Sequence, residues 1–182
     1  EGSVAGENAF AELESFYQEI RNKHGVILRS SIAAPFCYRL RRDFDLFYKL
    51  IFFKPIPALA DVSLLKQSLL TGLDLLLIRH NNAGLYHGVN RKSDDAGKII
   101  CEQTYDISEL RKLAKVAFSH AEKRKKRVCL LIKSEILGEL GAVWIDAFEH
   151  EAAMHPSVAF DVLPPDSGSA QIFLTPNAFD VV

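Results

Sequence analysis

Residues 73–88 read Leu73-Asp74-Leu75-Leu76-Leu77-Ile78-Arg79-His80-Asn81-Asn82-Ala83-Gly84-Leu85-Tyr86-His87-Gly88. The unbroken apolar run from Leu75 to Ile78 is too short for a membrane span and suits a strand buried on both faces. Strands of that kind occur in parallel sheets covered by helices, so this stretch points to an α/β fold. The run stops at Arg79, and polar residues with Gly84 and Gly88 follow. Open α/β sheets place their ligand sites where such strands end. Tyr86 lies seven residues on, so an anion there would meet a guanidinium and a phenol together. Alternatively Arg79 pairs with a carboxylate of the protein itself, Asp43 and Asp45 being candidates. Position alone leaves both roles open.

The 182 residues, 48% of them hydrophobic, suffice for one good core. With 22 Lys and Arg against 23 Asp and Glu, the net charge of −1 offers no long-range field for nucleic acid or an anionic membrane. The basic run Lys123–Arg127 (KRKKR) lacks aromatic interleaving and reads as a solvated helix C-terminus, where cations oppose the dipole. Cys37, Cys101 and Cys129 are odd in number and have no metal spacing, which makes a reduced, cytoplasmic protein the expectation. His24, His80, His87, His120, His150 and His155 show no ligand spacing either. No apolar run reaches membrane length.

Phe10, Leu13, Phe16, Tyr17 and Ile20 recur at helical spacing behind a small, polar leader over 1–8, and Gly25 ends that helix. Val26–Leu28 is a short strand running into Ser30 and Ser31. Leu40, Phe44, Phe47 and Ile51 form one helical stripe. Phe53–Leu59, with Pro55 and Pro57, reads as an edge strand, and Ser63–Leu70 as a short helix. Asp106 and Glu109 are a capping pair at N-cap and N3. They open a helix burying Ile107, Leu110, Leu113, Ala114, Ala117, Phe118 and Ala121. Val128–Ile132 is a second buried strand with Lys133 at its carboxyl end, where a lysine can be tuned for acid/base work or simply snorkel. Ile136 to Met154 is one long helix whose Trp144 is expected to face both its own core and a partner helix. Val158–Leu163 is a third strand, and Asp166 is an N-cap candidate for the helix that follows.

The stretch from Arg79 to Gly88, R-H-N-N-A-G-L-Y-H-G, resembles the R-E-x-T-x-G-x-Y-x-G signature of the isocitrate and isopropylmalate dehydrogenase family. Other stretches share the likeness. GVILRSSIAAP (25–35) resembles G-V-x-L-K-G-P-x-x-T-P, and LRRDFDLFYKLIFFKPIP (40–57) resembles L-R-K-x-L-x-L-Y-A-N-x-R-P-V-K-x-x-P. VCLLIKSEIL (128–137) resembles V-T-x-V-x-K-A-N-V-L, and Phe179–Val182 begins F-D-V-I-V. The resemblance implies that Arg41 and Arg79 hold substrate carboxylates and that Tyr86 and Lys133 move protons. It also implies that Asp166 binds a metal. Lys133 and Asp166 would act into a partner subunit's site. The departures are His80 for Glu, Asn82 for Thr, Ala34 for Thr, Ile51 for a second substrate arginine, Phe52 for Pro and Glu135 for Asn.

The fold so implied is a three-layer α/β domain like the family's small substrate and dimer domain, a single domain over 9–182. Its extended intersubunit arm lies at about 89–105. The match covers roughly the middle half of a typical member. A catalytically inert, homodimeric domain that binds a small di- or tricarboxylate is the expectation. That chain alone is expected to carry no cofactor. The alternative is a part of an NAD(P)- and Mg²⁺/Mn²⁺-dependent oxidative decarboxylase of a 2-hydroxy acid, completed by segments outside this chain. Neither reading involves nucleic acid or a membrane.

Overall fold

The computed structural model describes residues 6–26, 34–86, 89–92 and 97–182. The chain divides into two compact units, Glu1–Leu46 and Phe47–Val182. The first unit holds α1 (Gly6–Asn22) and α2 (Ala34–Asp43). Helix α1 already begins at Gly6, inside the segment read as a leader. Tyr17 of α1 stacks on Phe44 with ring centroids 3.9 Å apart. The strand expected after Gly25 falls mostly outside the described residues, as do Ser30 and Ser31.

The single stripe read through Leu40, Phe44, Phe47 and Ile51 is not one helix. Helix α2 stops at Asp43, Asp45 takes a left-handed φ of 49°, and β1 (Tyr48–Phe53) follows. Tyr-Lys-Leu-Ile-Phe-Phe is rich in residues that favour a pleated surface, and pairing with a buried strand outweighs helical spacing. The edge strand expected at Phe53–Leu59 is instead a 3₁₀ turn over Pro57–Val62, and Ser63–Leu70 shortens to α3 (Gln67–Leu70).

In the second unit β1 runs antiparallel to β2 (Leu75–His80). On the far side of β2 lie the final residues of the chain. Leu76 N–H donates to the Asp180 carbonyl (2.8 Å), Val182 N–H to the Leu76 carbonyl (2.8 Å) and Ile78 N–H to the Val182 carbonyl (2.7 Å). The same segment bonds on its other side to β5 (Arg127–Leu131), which pairs in parallel with β6 (Ala159–Leu163). Asp180–Val182 is thus the middle of the order β1–β2–180–182–β5–β6.

Alternation along these strands sends Leu76, Val128, Leu130 and Val181 to one face, beneath α4 (Ile107–Glu122) and α6 (Glu139–Met154). Leu75, Cys129, Leu131 and Val182 go to the other, packed against Ile172 of α7 (Pro165–Leu174). The result is the expected three-layer α/β arrangement. Gly168 lets α7 approach β5, because a Cβ there would strike the Leu131 side chain. Helix α4 is capped as read: the Asp106 carboxylate accepts from Ser108 N–H at 2.7 Å. The long helix is broken at Gly138 (φ 55°) into α5 (Ser134–Leu137) and α6. The arm is a hairpin of β3 (Val89–Lys92) and β4 (Ile99–Glu102), with Ile99 75% exposed. No described helix is long and apolar enough to cross a membrane.

Arg124, within the basic run read as solvated, is instead a cross-link. It donates from Nε to Asp180 (2.8 Å) and from Nη2 to both the carboxylate (2.6 Å) and the carbonyl (2.9 Å) of Asp74. The Asp180 side chain is fully buried and also accepts from the Arg127 N–H at 3.3 Å. Losing one partner of a buried ion pair strands the other charge. Asp180→Ala is expected to cost about 3–5 kcal/mol, read as a fall in the urea midpoint; a loss below about 1 kcal/mol would contradict this account.

A second polar link joins the ends of α4 and α6. His155 lies between Glu122 (Nδ1, 2.7 Å) and Glu151 (Nε2, 3.1 Å), with its ring stacked on Phe118. The hydrogen bond to Glu122 raises the His155 pKa above its ordinary 6.5. The sign follows from linkage: a raised folded value means stability present below the unfolded value and lost as pH rises through the folded one. Stability should therefore decline as pH climbs from 6.5, and His155→Gln should flatten that part of the profile in urea titrations at stepped pH.

Candidate functional site

Strand β2 places Arg79 near its carboxyl end, and the 3₁₀ turn Gly84–Tyr86 brings Tyr86 back beside it. The guanidinium carbon stands 5.3 Å from the Tyr86 ring centroid, within cation–π range. The acceptor for Arg79 is a neutral amide: Asn81 Oδ1 takes both Nε (3.3 Å) and Nη2 (3.2 Å). Asn81 is itself buried, and its backbone N–H is held by the Phe47 carbonyl at 2.7 Å. Asp43, one of the carboxylates considered for Arg79, is engaged by Arg42 Nε at 2.9 Å. An amide satisfies hydrogen bonds without cancelling charge, so Asn81 does not neutralise Arg79.

Arg79 and Tyr86 border a cavity of about 380 Å³ whose walls are mostly apolar, with Gln103, Tyr105 and Trp144 contributing polar edges. Trp144 is edge-on to Tyr105 (5.8 Å) and His80 (6.2 Å). Burial pushes the Tyr105 phenol above its usual pKa. His80, which stands where the resembled signature has Glu, has a side chain only 7% exposed and approaches Glu109 Oε2 at 3.4 Å. Glu109 thereby has a role beyond helix capping.

Lys133 and Asp166 form a second cluster at the carboxyl ends of β5 and β6. Lys133 Nζ lies 2.5 Å from Asp166 Oδ2, and this bond draws the Asp166 pKa below the usual carboxylate value. Asp166 is not an N-cap: Pro164 caps α7 and Asp166 sits in its first turn. Lys133 and Glu135 line a separate hollow of about 120 Å³ that Arg79 and Tyr86 do not border. Within one chain the two pairs are therefore distinct. Arg41 lies in the last turn of α2, in the first unit, 5.5 Å from the Tyr38 ring centroid.

A divalent ion needs several oxygen ligands. No three His, Cys, Asp or Glu side chains converge among the described residues. Cys129, buried against the sheet, has its thiol pKa pushed up to about 11 by desolvation and is a packing residue.

The family model for isocitrate/isopropylmalate dehydrogenase matches residues 29–182. The 3-isopropylmalate dehydrogenase of Ruegeria pomeroyi is 33% identical over 147 residues, and that of Agrobacterium fabrum 36% over 149. Each match takes in 79% of this chain and 40% of the relative, so the chain spans about 40% of the length of the curated relatives it matches. The isocitrate dehydrogenase of Methylococcus capsulatus superposes with a TM-score of 0.69 at 20% identity, over 92% of this chain and 50% of that one, which shows a shared fold.

Gly84 is the hinge of the first cluster. Its φ is +63°, its N–H donates to the Thr104 carbonyl at 3.2 Å, and a Cβ there would strike the Tyr105 hydroxyl. Gly84→Ala should cost about 2–4 kcal/mol, from left-handed strain plus overpacking. Pairing it with Tyr105→Phe should recover part of that loss in urea denaturation, since the clashing oxygen is gone.

Proposed function

The chain belongs to the isocitrate/isopropylmalate dehydrogenase family, and on that premise we propose that it is a carboxylate-binding, subunit-pairing domain that does not by itself oxidise a 2-hydroxy acid. One observation carries the binding half. Arg79 ends a sheet strand at the wall of a cavity, and its protein acceptor is a neutral amide. A partly buried guanidinium in that setting favours a carboxylate ligand, taken end-on while Tyr86 covers one face. By the family resemblance, Arg41 is proposed separately as a carboxylate-binding residue.

Residues within the chain support the absence of turnover. Ile51 offers no hydrogen-bond donor where the resemblance has an arginine. Glu135 shares the hollow of Lys133 and adds negative charge where an anionic substrate would enter. Lys133 and Asp166, the proton-transfer and metal positions of the resemblance, are engaged with each other. Pairing of two copies is supported by the β3–β4 hairpin, whose Ile99 is 75% and Ile100 39% exposed. A stable interface of this kind buries on the order of 2,000 Å² with an apolar centre.

A second reading has one observation in its favour. The chain spans about 40% of its relatives' length. In that reading it is the part of an NAD(P)- and Mg²⁺/Mn²⁺-dependent oxidative decarboxylase that supplies Arg79 and Tyr86 to its own site. Lys133 and Asp166 would then go to a partner's site.

Titration calorimetry with citrate, malate and sulfate, alongside light scattering, tests the proposal. Heat is expected with at least one carboxylate and none after Arg79→Ala, with circular dichroism unchanged. A dimer is expected, converted to monomer by Ile99→Glu. Binding that persists without Arg79, or a stable monomer at micromolar concentration, sinks the corresponding half. Turnover of isocitrate or isopropylmalate with NAD(P) and Mg²⁺ or Mn²⁺ favours the second reading.

A further inference from the structure

The β1–β2 register sets Lys49 directly opposite Arg79. Directly opposed residues of an antiparallel pair project from the same face, with Cβ atoms about 5 Å apart, and like charges so placed repel. Lys54, the other lysine near this strand, finds Asp74 at 3.4 Å. Lys49 and Arg79 have no carboxylate partner among the described residues. Arg79 spends its Nε/Nη2 edge on Asn81 and lays its plane against Tyr86. Two residues along β1 on the same face, Ile51 faces Leu77, an apolar pair beside the two charges.

We infer that Lys49 and Arg79 form a two-cation clamp across the β1–β2 ladder for a small dicarboxylate. The inference rests on the reading of Arg79 as an anion-binding residue and adds Lys49 to it. Asn81 fixes the orientation of the guanidinium, so its end-on edge takes one carboxylate as a planar fork. The Lys49 ammonium, a point charge on a flexible stem, reaches the second carboxylate. Ile51 and Leu77, the next pair along the same face, border the clamp with apolar surface. A monoanion relieves the repulsion only in part, whereas a dianion converts both charges to attraction. The clamp therefore discriminates by ligand charge, and a lysine does the work for which Ile51 has no donor.

The test compares the unmodified protein with Lys49→Met and Lys49→Arg, using succinate and acetate at constant ionic strength. Lys49→Met is expected to weaken succinate binding about tenfold, the scale of one partly solvated charge pair, and to leave acetate binding nearly unchanged. Lys49→Arg should restore succinate affinity. In anion-free buffer Lys49→Met should melt no lower than the unmodified protein, because removing it relieves repulsion, and succinate should raise its midpoint less. Equal succinate affinity in Lys49→Met and the unmodified protein overturns the clamp while leaving the Arg79 site standing. An unmodified protein that binds neither anion overturns both. A general structural role for Lys49 would lower the anion-free midpoint and affect both ligands alike, which also counts against the clamp.

Discussion

Asp180 has no exposed side-chain surface, and that constraint organises the second unit. A carboxylate so placed needs donors on every side, and Arg124 Nε and the Arg127 N–H supply them. Arg124 in turn grips Asp74, just before β2. One guanidinium thus ties the turn after α4, the entrance of β2 and the central strand segment into a single register. The hydrogen bond from Arg124 lowers the Asp74 pKa, so this arm of the tie is strongest once Asp74 is ionised. Desolvating Asp180 and most of Arg124 is expensive, and the arrangement is retained because each is hydrogen-bonded to the other.

The register has a chemical consequence. With Asp180–Val182 between β2 and β5, the strands β2, β5 and β6 point the same way, and their carboxyl ends open on one edge of the sheet. Arg79, Lys133 and the Pro164–Asp166 turn all sit on that edge, the general location of ligand sites in α/β sheets. Within one chain they still resolve into two clusters, because β5 and β6 carry Lys133 and Asp166 away from β2. Each cluster solves its electrostatics differently. Lys133 is neutralised by Asp166, and Arg79 is left charged by Asn81.

Polar residues that composition assigns to solvent turn out to be structural here. Arg124 belongs to a run of five basic residues and looks like any helix-end cation until Asp74 and Asp180 are brought to it from 50 and 56 residues away. Asn81 is one of two consecutive asparagines after a strand, a pattern that reads as a turn. Its burial, and its bond to Arg79, follow from Phe47 closing the ladder over it. Glu109 is a capping residue by spacing and also the acid nearest His80. The signal for each was present as residue type, but without the partner.

From the sequence alone came the buried strands at 75–78 and 128–132, helix α4 with its Asp106 cap, the α/β class and the likeness to a dehydrogenase family. These depend on local apolar runs, on period and on short-range hydrogen bonds, all of which lie within a few residues of one another. Tertiary structure decided the rest. It turned Tyr48–Phe53 into a strand because β2 offered a partner, a choice that helical spacing of Leu40, Phe44, Phe47 and Ile51 could not reveal. It broke the long helix at Gly138, put the last three residues at the centre of the sheet, and gathered Arg79, Asn81 and Tyr86 into one cluster while holding Lys133 and Asp166 in another. The physical reason is common to all of these. Strand pairing and ion pairing are satisfied by groups distant in sequence, and a linear pattern records that a residue needs a partner without saying which one it will meet.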